Sequence, residues 1–197
     1  MSGVVLKGSF DGVAVVGRPD LTEAHITGPH VLRREGDTLV VKGTAGGAGS
    51  SAASVGATVG NLTVTVSVGE PDRQVVVAVP EDTDVVADLD AANVSVSDLA
   101  GSVRVTLGAG TVDVDGCRGA TDIRVRTGAA AITPAEVGCT VRASVGVGTV
   151  SLPDGVDGEL VIGDGAVPVD VDVDVGSVHV RLSQGRSTSS RNAAARG

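Results

Sequence analysis

The chain has 197 residues, enough for one or two domains with a buried core, and its formal net charge is −9. It contains 29 glycines, no Trp, no Tyr and a single Phe, Phe10. This composition argues against nucleic-acid binding, which needs clustered Lys and Arg and, for single strands, aromatic stacking. Valine must fill the interior, which suits stacked β-sheets better than helix bundles and predicts an all-β fold.

The first part of the chain contains short apolar runs that predict strands: "GVAVVG" (12–17), "HITG" (25–28) and "HVLRREGDTLVVKG" (30–43). They are less regular than the later residues, and we expect 1–43 to form N-terminal strands that can cap the rest of the protein. The opening residues lack the features of a signal peptide, and no apolar stretch is long enough to span a membrane. As written, the chain is expected to be cytoplasmic, with envelope association only through a partner.

Residues 44–57, "TAGGAGSSAASVGA", have the composition of a flexible linker and predict a mobile loop. After this loop, "NLTVTVSVG" (61–69) and "RQVVVAVP" (73–80) again predict strands. At the other end, residues 183–197 have no apolar periodicity and are expected to form a disordered tail. Residues 58–182 therefore remain as the main β domain.

Beyond about position 82, one short pattern recurs: a Gly or Asp, two small residues, a small polar residue and an apolar residue. Its aligned apolar positions recur at a nearly constant spacing, so stacked copies would bring them together in the core. These positions are Val94, Val112, Ile132 and Val150. The segment "IGDGAVPV" (162–169), centred on Val167, is a candidate further copy.

A period of roughly 18–20 residues predicts a single-stranded β-solenoid, whose coils stack about 4.8 Å apart. Glycine suits the corners, where the chain turns sharply and a side chain would collide with the next coil. The run "VDVDVDV" (169–175) then places its valines inside and Asp170, Asp172 and Asp174 in water. The alternative is an ordinary β-sandwich, whose strands rarely repeat one template at nearly constant spacing.

The segments "GSVRVTLGAGTVDVDG", "ATDIRVRTGAAAITP" and "VRASVGVGTVSLPDG" resemble the bacterial putative-adhesin family of glycine-rich β-solenoid domains. The resemblance covers about residues 60–182 and rests on repeat texture, so it bears on fold more than on function. It implies a non-enzymatic surface, scaffold or envelope-associated role. More distantly, the valine-rich coils resemble those of bactofilins, which polymerise end to end without nucleotide.

No catalytic, cofactor-binding or metal site emerges from the sequence, and we expect neither enzyme activity nor a cofactor or small-molecule ligand. His25, His30 and His179 lack metal-ligand spacing, and His179 occupies the same outward repeat position as Asp113 and Ser151. The glycine-rich segments do not match a nucleotide-binding loop.

Calcium binding by Asp170, Asp172 and Asp174 stays open as an alternative to a solvated face. Alternate side chains on one strand lie about 6.6–7 Å apart. Adjacent carboxylates therefore need help from carbonyl groups or a neighbouring coil to share one ion.

Two cysteines, Cys117 in "DGCRG" and Cys139 in "VGCTV", each follow a glycine at a predicted corner. Their separation along the chain is close to the length of one coil, so we expect them to lie near each other. A reduced pair is the default in a cytoplasmic chain, and whether the two are bonded stays open.

Two functions remain, and they belong to different classes. The protein is either a module that binds a protein partner or a structural element that self-associates through its solenoid ends, where backbone groups are unpaired. For self-association, the exposed terminal strand is expected to be "GSVHVRLSQG" (176–185), the last strand of the repeat array.

Overall fold

The computed structural model describes residues 3–28, 30–35, 38–43, 56–59, 62–67, 74–135, 138–153 and 159–182. Most of the predicted loop, residues 44–55, and the whole predicted tail, 183–197, lie outside the described residues. Residues 56 and 57, which were expected to end the loop, instead begin a strand. The described residues form strands and no α-helix, so the all-β prediction is confirmed. In particular, none of them belongs to a helix long and apolar enough to cross a membrane.

The described residues contain fourteen strands in one mixed sheet that does not close on itself. They are β1 (Gly3–Gly8), β2 (Gly12–Arg18), β3 (His25–Thr27), β4 (His30–Glu35), β5 (Thr38–Gly43), β6 (Gly56–Val59), β7 (Leu62–Ser67), β8 (Gln74–Pro80), β9 (Asp84–Ser97), β10 (Val103–Asp115), β11 (Thr121–Thr133), β12 (Cys139–Ser151), β13 (Glu159–Ile162) and β14 (Val167–Val180).

Five strands are unusually long, with 13 or 14 residues each, and they bend in the middle. In β10, Val105 and Leu107 are buried before the bend, whereas Val112 and Val114 are buried after it. The buried positions therefore change from odd to even numbers, so that both halves of the strand turn valines toward the same core. We call the first halves, together with β1, β4, β5 and β13, arm A. The second halves form arm B with β2, β3, β6, β7 and β8.

Glycine occupies the bend in four of these strands, as the sequence predicts for a corner. Gly110, Gly128, Gly176 and Gly148 lie side by side, with φ of 133°, 148°, 145° and 146°. A Cβ atom on any of them would collide with the carbonyl oxygen of the residue beside it. Both the positive φ and the close approach therefore require glycine here.

The register agrees with the predicted spacing only in part of the sheet. Val94 pairs with Val112, and Val112 pairs with Ala130, so β9, β10 and β11 are offset from one another by the same number of residues. The next strand in the chain, β12, does not pair with β11. Instead, β14 lies between β11 and β12 and is parallel to both. The structure is thus an open mixed sheet, and the expected succession of coils ends at β11.

The expected column of Val112, Ile132 and Val150 is wrong at Ile132, whereas Val112 and Val150 do lie in one column, connected through Ala130 and Val178. The residue of β11 that pairs with Val112 is the smaller Ala130. Ile132 pairs instead with Val114, two positions further along β10. Val150 lies on the outermost long strand and is 39% exposed. The alignment had matched large apolar side chains, whereas strand pairing aligns backbone positions whatever the size of the side chain.

The candidate copy centred on Val167 is not a separate coil. Val167 is the first residue of β14 and pairs with Cys139. The preceding glycines, Gly163 and Gly165, both have positive φ and form the turn that connects β13 to β14.

The N-terminal strands continue the same sheet beyond β9. β1 pairs with the first half of β9, and β2 pairs with the second half. Between them the buried Phe10 donates its backbone N–H to the carbonyl oxygen of Ala91, at 3.0 Å. Together, β1 and β2 therefore follow the path of one long bent strand, interrupted at Phe10.

Candidate interaction surface

The acidic run of β14 lies on the outer face of arm A. Val171 and Val173 are buried, whereas Asp170, Asp172 and Asp174 are exposed, as the alternation predicts. The sequence did not reveal the strand order, and that order determines which side chains lie beside these carboxylates. β14 lies between two strands that carry arginines.

Arginines stand beside the carboxylates of β14. Asp172 pairs with Arg124 on β11, and Asp170 pairs with Arg142 on β12. Within this face, Asp122 lies 3.5 Å from the Arg124 guanidinium. Ser144 donates a hydrogen bond of 2.8 Å to Asp172. Asp122 and Asp170 pair directly with each other, and Arg104 and Arg142 flank them, so the outer face of arm A carries both signs of charge rather than carboxylates alone.

Two solvent-open depressions lie on this face, with volumes of about 380 and 550 Å³. Arg124 and Asp172 line both of them. Among the residues that the structure describes, no group of three or more His, Cys, Asp or Glu side chains is placed to hold a metal ion. The exposed ion pairs contribute at most about 1 kcal/mol each to stability.

The three histidines lie on different strands. His179, on β14, is exposed, so its predicted outward position is confirmed. It pairs with Ser151 on one side and with Ala131 on the other, and Ala131 pairs in turn with Asp113. His25 belongs to β3 in arm B and His30 to β4 in arm A. The His30 ring bonds to the Gly28 carbonyl oxygen at 2.7 Å through Nδ1, and burial lowers its pKa.

The two cysteines are free and buried. Cys117 lies in the turn between β10 and β11, whereas Cys139 begins β12, which β14 separates from β11. They therefore do not lie on adjacent coils, and the nearness expected from the repeat alignment is wrong. Burial raises the pKa of the Cys117 thiol to about 11 and also raises that of Cys139.

An open sheet edge runs along the second half of β12. β13 pairs only with the first four residues of β12, Cys139 to Arg142. Residues 147–151 pair with β14 on one side and with no described strand on the other. We call residues 143–151, which lie beyond β13, the β12 edge. The terminal strand expected from the sequence is wrong, because β14 is paired on both sides.

The β12 edge is uncharged, and no strand among the described residues covers it beyond β13. Val147 and Val150 are 68% and 39% exposed. Its sequence, "ASVGVGTVS", contains no charged residue and no proline. Sheet edges in monomeric proteins are usually blunted by charges, proline or bulges, as at β4, where Arg33 and Glu35 are exposed. The missing charges were visible in the sequence, but only the strand order shows that this segment forms an edge.

A solved structure shares this fold. It is the crystal structure of a putative cell adhesion protein from Clostridium sporogenes, with a TM-score of 0.54. The sequences are 12% identical, and the match covers 92% of this chain and 93% of the other. At this identity the likeness concerns the fold alone. No family model matches the sequence, and a search of curated proteins gave no match.

Proposed function

We propose that this protein is a non-enzymatic, adhesin-like β-solenoid scaffold that binds a protein through the β12 edge. The observation that carries the proposal is the β12 edge, where residues 147–151 pair with no described strand on their outer side and two valines are exposed. The constant offset between β9, β10 and β11 supports the solenoid interpretation. The fold shared with a putative cell adhesion protein supports the adhesin-like role.

The binding mode is strand addition. An extended segment of the partner hydrogen-bonds to the outward N–H and C=O groups of residues 147–151, which pair with no described strand, and this supplies affinity without requiring a particular sequence. Its side chains cover Val150, which points toward the core at the end of arm B. Covering this partly exposed valine is favourable because it removes apolar surface from water.

The description as non-enzymatic agrees with the placement of the reactive side chains. The histidines are distributed over β3, β4 and β14, and neither buried thiol is activated, since burial raises both pKa values. A nucleophilic cysteine needs the opposite shift, toward a lower pKa.

Bactofilin-like self-assembly is the second candidate. It is favoured by a different observation, namely that among the described strands the sheet ends without a further partner at β12 and β13 on one side and at β4 and β6 on the other. Pairing one end with the opposite end of another molecule would not close and would produce a filament.

Site-specific photo-crosslinking tests the proposed site. We would place a photoreactive phenylalanine analogue at Val147 and, as a control, at Asp113, and irradiate cells that produce each variant. Asp113 is exposed on arm B, three strand spacings or about 14 Å from the β12 edge.

We expect adducts of defined mass from position 147 and none from position 113. Equal adducts from both positions, or none from position 147, would refute the edge as the binding site. The adduct mass also tells a second copy of the chain from a different protein.

A further inference from the structure

A groove with one acidic wall and one basic wall runs along β10 on the outer face of arm A. It is the larger of the two depressions, with a volume of about 550 Å³. Asp88 and Asp90 of β9 line one side, and Arg124 and Arg126 of β11 line the other. Thr106 of β10 lies between the walls, because it pairs with Asp88 on one side and with Arg124 on the other. The groove therefore separates opposite charges.

The neighbouring strands continue this order of charges across the face. In one row, the paired residues from β1 to β14 are Lys7, Asp88, Thr106, Arg124 and Asp172. Their charges are positive, negative, neutral, positive and negative. In the reverse direction the same row is negative, positive, neutral, negative and positive. The row is therefore complementary in charge to its own reverse.

We infer that the outer face of arm A binds the same face of a second copy of this chain, about a two-fold axis parallel to β10. Rotation about this axis keeps the direction of the strands and reverses their order across the face. Asp88 then lies opposite Arg124 of the partner subunit, and Lys7 lies opposite Asp172 of the partner subunit. The contact uses a different surface from the β12 edge and goes beyond the proposed function.

The rows on either side permit the same contact. Asp90 and Arg126 are the next outward residues of β9 and β11, so the rotation also places these two opposite each other's copies. In the row on the other side, Arg104 of β10 lies close to the axis and faces its own copy. The Arg104 guanidinium already lies 3.3 Å from the Asp122 carboxylate, which compensates its charge.

Charge also decides the orientation of the axis. An axis running across the strands would place every strand against its own copy. The exposed aspartates of β14, Asp170, Asp172 and Asp174, would then face the same three aspartates, and like charges in contact repel. An axis parallel to β10 avoids this arrangement. The Arg104 and Arg124 side chains are 67% and 69% exposed, so the face is accessible to a second copy.

The contact is expected to be weak. Its six strands, β1, β9, β10, β11, β14 and β12, lie about 4.8 Å apart, and about 20 Å of each gives roughly 500 Å² per molecule. Stable interfaces usually bury about 800 Å² per partner. Each chain also carries a net charge of −9, which opposes association at long range. The dimer should therefore form only at high protein concentration.

Sedimentation equilibrium of the purified full-length chain over a concentration series tests the dimer. In about 0.1 M salt the Debye length is about 10 Å, which screens the repulsion between distant charges but not the contacting pairs. The mass should then rise from 19.3 kDa toward twice that value. In about 1 M salt the Debye length is about 3 Å, and we expect dimerisation to weaken by about tenfold or more.

Exchange of charges across the contact gives a test that a folding defect would not imitate. Arg124→Asp places like charges opposite each other at two symmetry-related positions, and so does Asp88→Arg. Each variant alone should dimerise at least about tenfold more weakly than the unmodified chain. An equal mixture of the two variants should dimerise again. In the mixed dimer, the two introduced side chains face each other with opposite signs, as do the two original ones.

Asp113→Arg and Arg18→Asp are the matched controls. Both residues are exposed on arm B, and the two substitutions make the same changes of charge away from the groove. Each control variant should dimerise as strongly as the unmodified chain. Equal losses in the control and groove variants would assign the effect to net charge alone and would contradict the contact.

A monomer at every concentration in 0.1 M salt, a dimer that 1 M salt does not weaken, or a mixture of the two groove variants that stays monomeric would overturn the inference. Crosslinking from position 147 reports separately on the β12 edge. A monomeric chain that still crosslinks there would remove the dimer and leave the proposed function intact. A salt-sensitive dimer without that crosslink would do the reverse.

Discussion

Asp172 of β14 lies directly opposite Arg124 of β11, although the whole of β12 and β13 separates the two strands in the chain. On the other side of Asp172, Ser144 of β12 donates a hydrogen bond to the same carboxylate. The insertion of β14 between these two strands thus gives the acidic run partners that are distant in sequence.

The inward and outward faces of β14 should respond differently to substitution. Val171→Asp places a carboxylate between Ile123 and Ala143, and we expect it to lower the free energy of unfolding by about 3–5 kcal/mol. Asp172→Ser removes only exposed polar contacts and should change it by less than about 1 kcal/mol. Urea denaturation measures both, and the opposite order would refute this orientation of the strand.

Calcium should not stabilise the protein. The carboxylates of β14 alternate along one strand, too far apart to share one ion, and Arg124 and Arg142 lie in register beside Asp172 and Asp170, so their positive charge disfavours a divalent cation. We expect the same melting temperature with excess calcium and with EDTA. A ligand that binds only the native state raises the melting temperature, so a calcium-dependent rise would show that the run is a metal site.

The glycine corner should be intolerant of even one methyl group. Gly128→Ala combines a φ of 148° with a collision against the Gly110 carbonyl oxygen. We expect a loss of about 1–3 kcal/mol or more in the free energy of unfolding. The adjacent exposed residue provides the control, since Thr127→Ala should stay within about 0.5 kcal/mol of the unmodified chain. Equal stability of the two variants would contradict the corner geometry.

The buried Cys117 thiol should make stability depend on alkaline pH. Its pKa is about 11 in the folded protein, raised from 9.0 mainly by burial. The native state therefore holds this proton more tightly than the unfolded chain. The thiol contributes up to about 2 kcal/mol to the free energy of unfolding. This contribution is complete below about pH 9 and is lost as the pH rises toward 11.

Denaturation curves collected between pH 8 and pH 11 test this dependence. Cys117→Ala serves as the control, because it removes the titrating group and should flatten the decline. A decline of the same size in both proteins would assign the effect to other groups.

The local features of the fold were predictable from the residues alone. The alternation of valine and aspartate correctly predicts which side chains of β14 are buried, because successive side chains of a strand point to opposite faces whatever strand it pairs with. The corner glycines were predictable for a similar reason, since a sharp turn with positive φ excludes a side chain. The outward position of His179 followed from the same short pattern.

Pairing between distant segments was not predictable in this way, and it determines where the candidate site lies. Several strands share one valine-rich pattern. The sequence therefore does not show whether β11 pairs with a strand close to it in the chain, such as β10, or with a more distant strand, such as β14, and in the structure it pairs with both. Only the folded chain shows that β14 is internal and that β12 carries the open edge. Alternation is a property of a single strand, whereas register and strand order depend on packing and backbone hydrogen bonds among all of them.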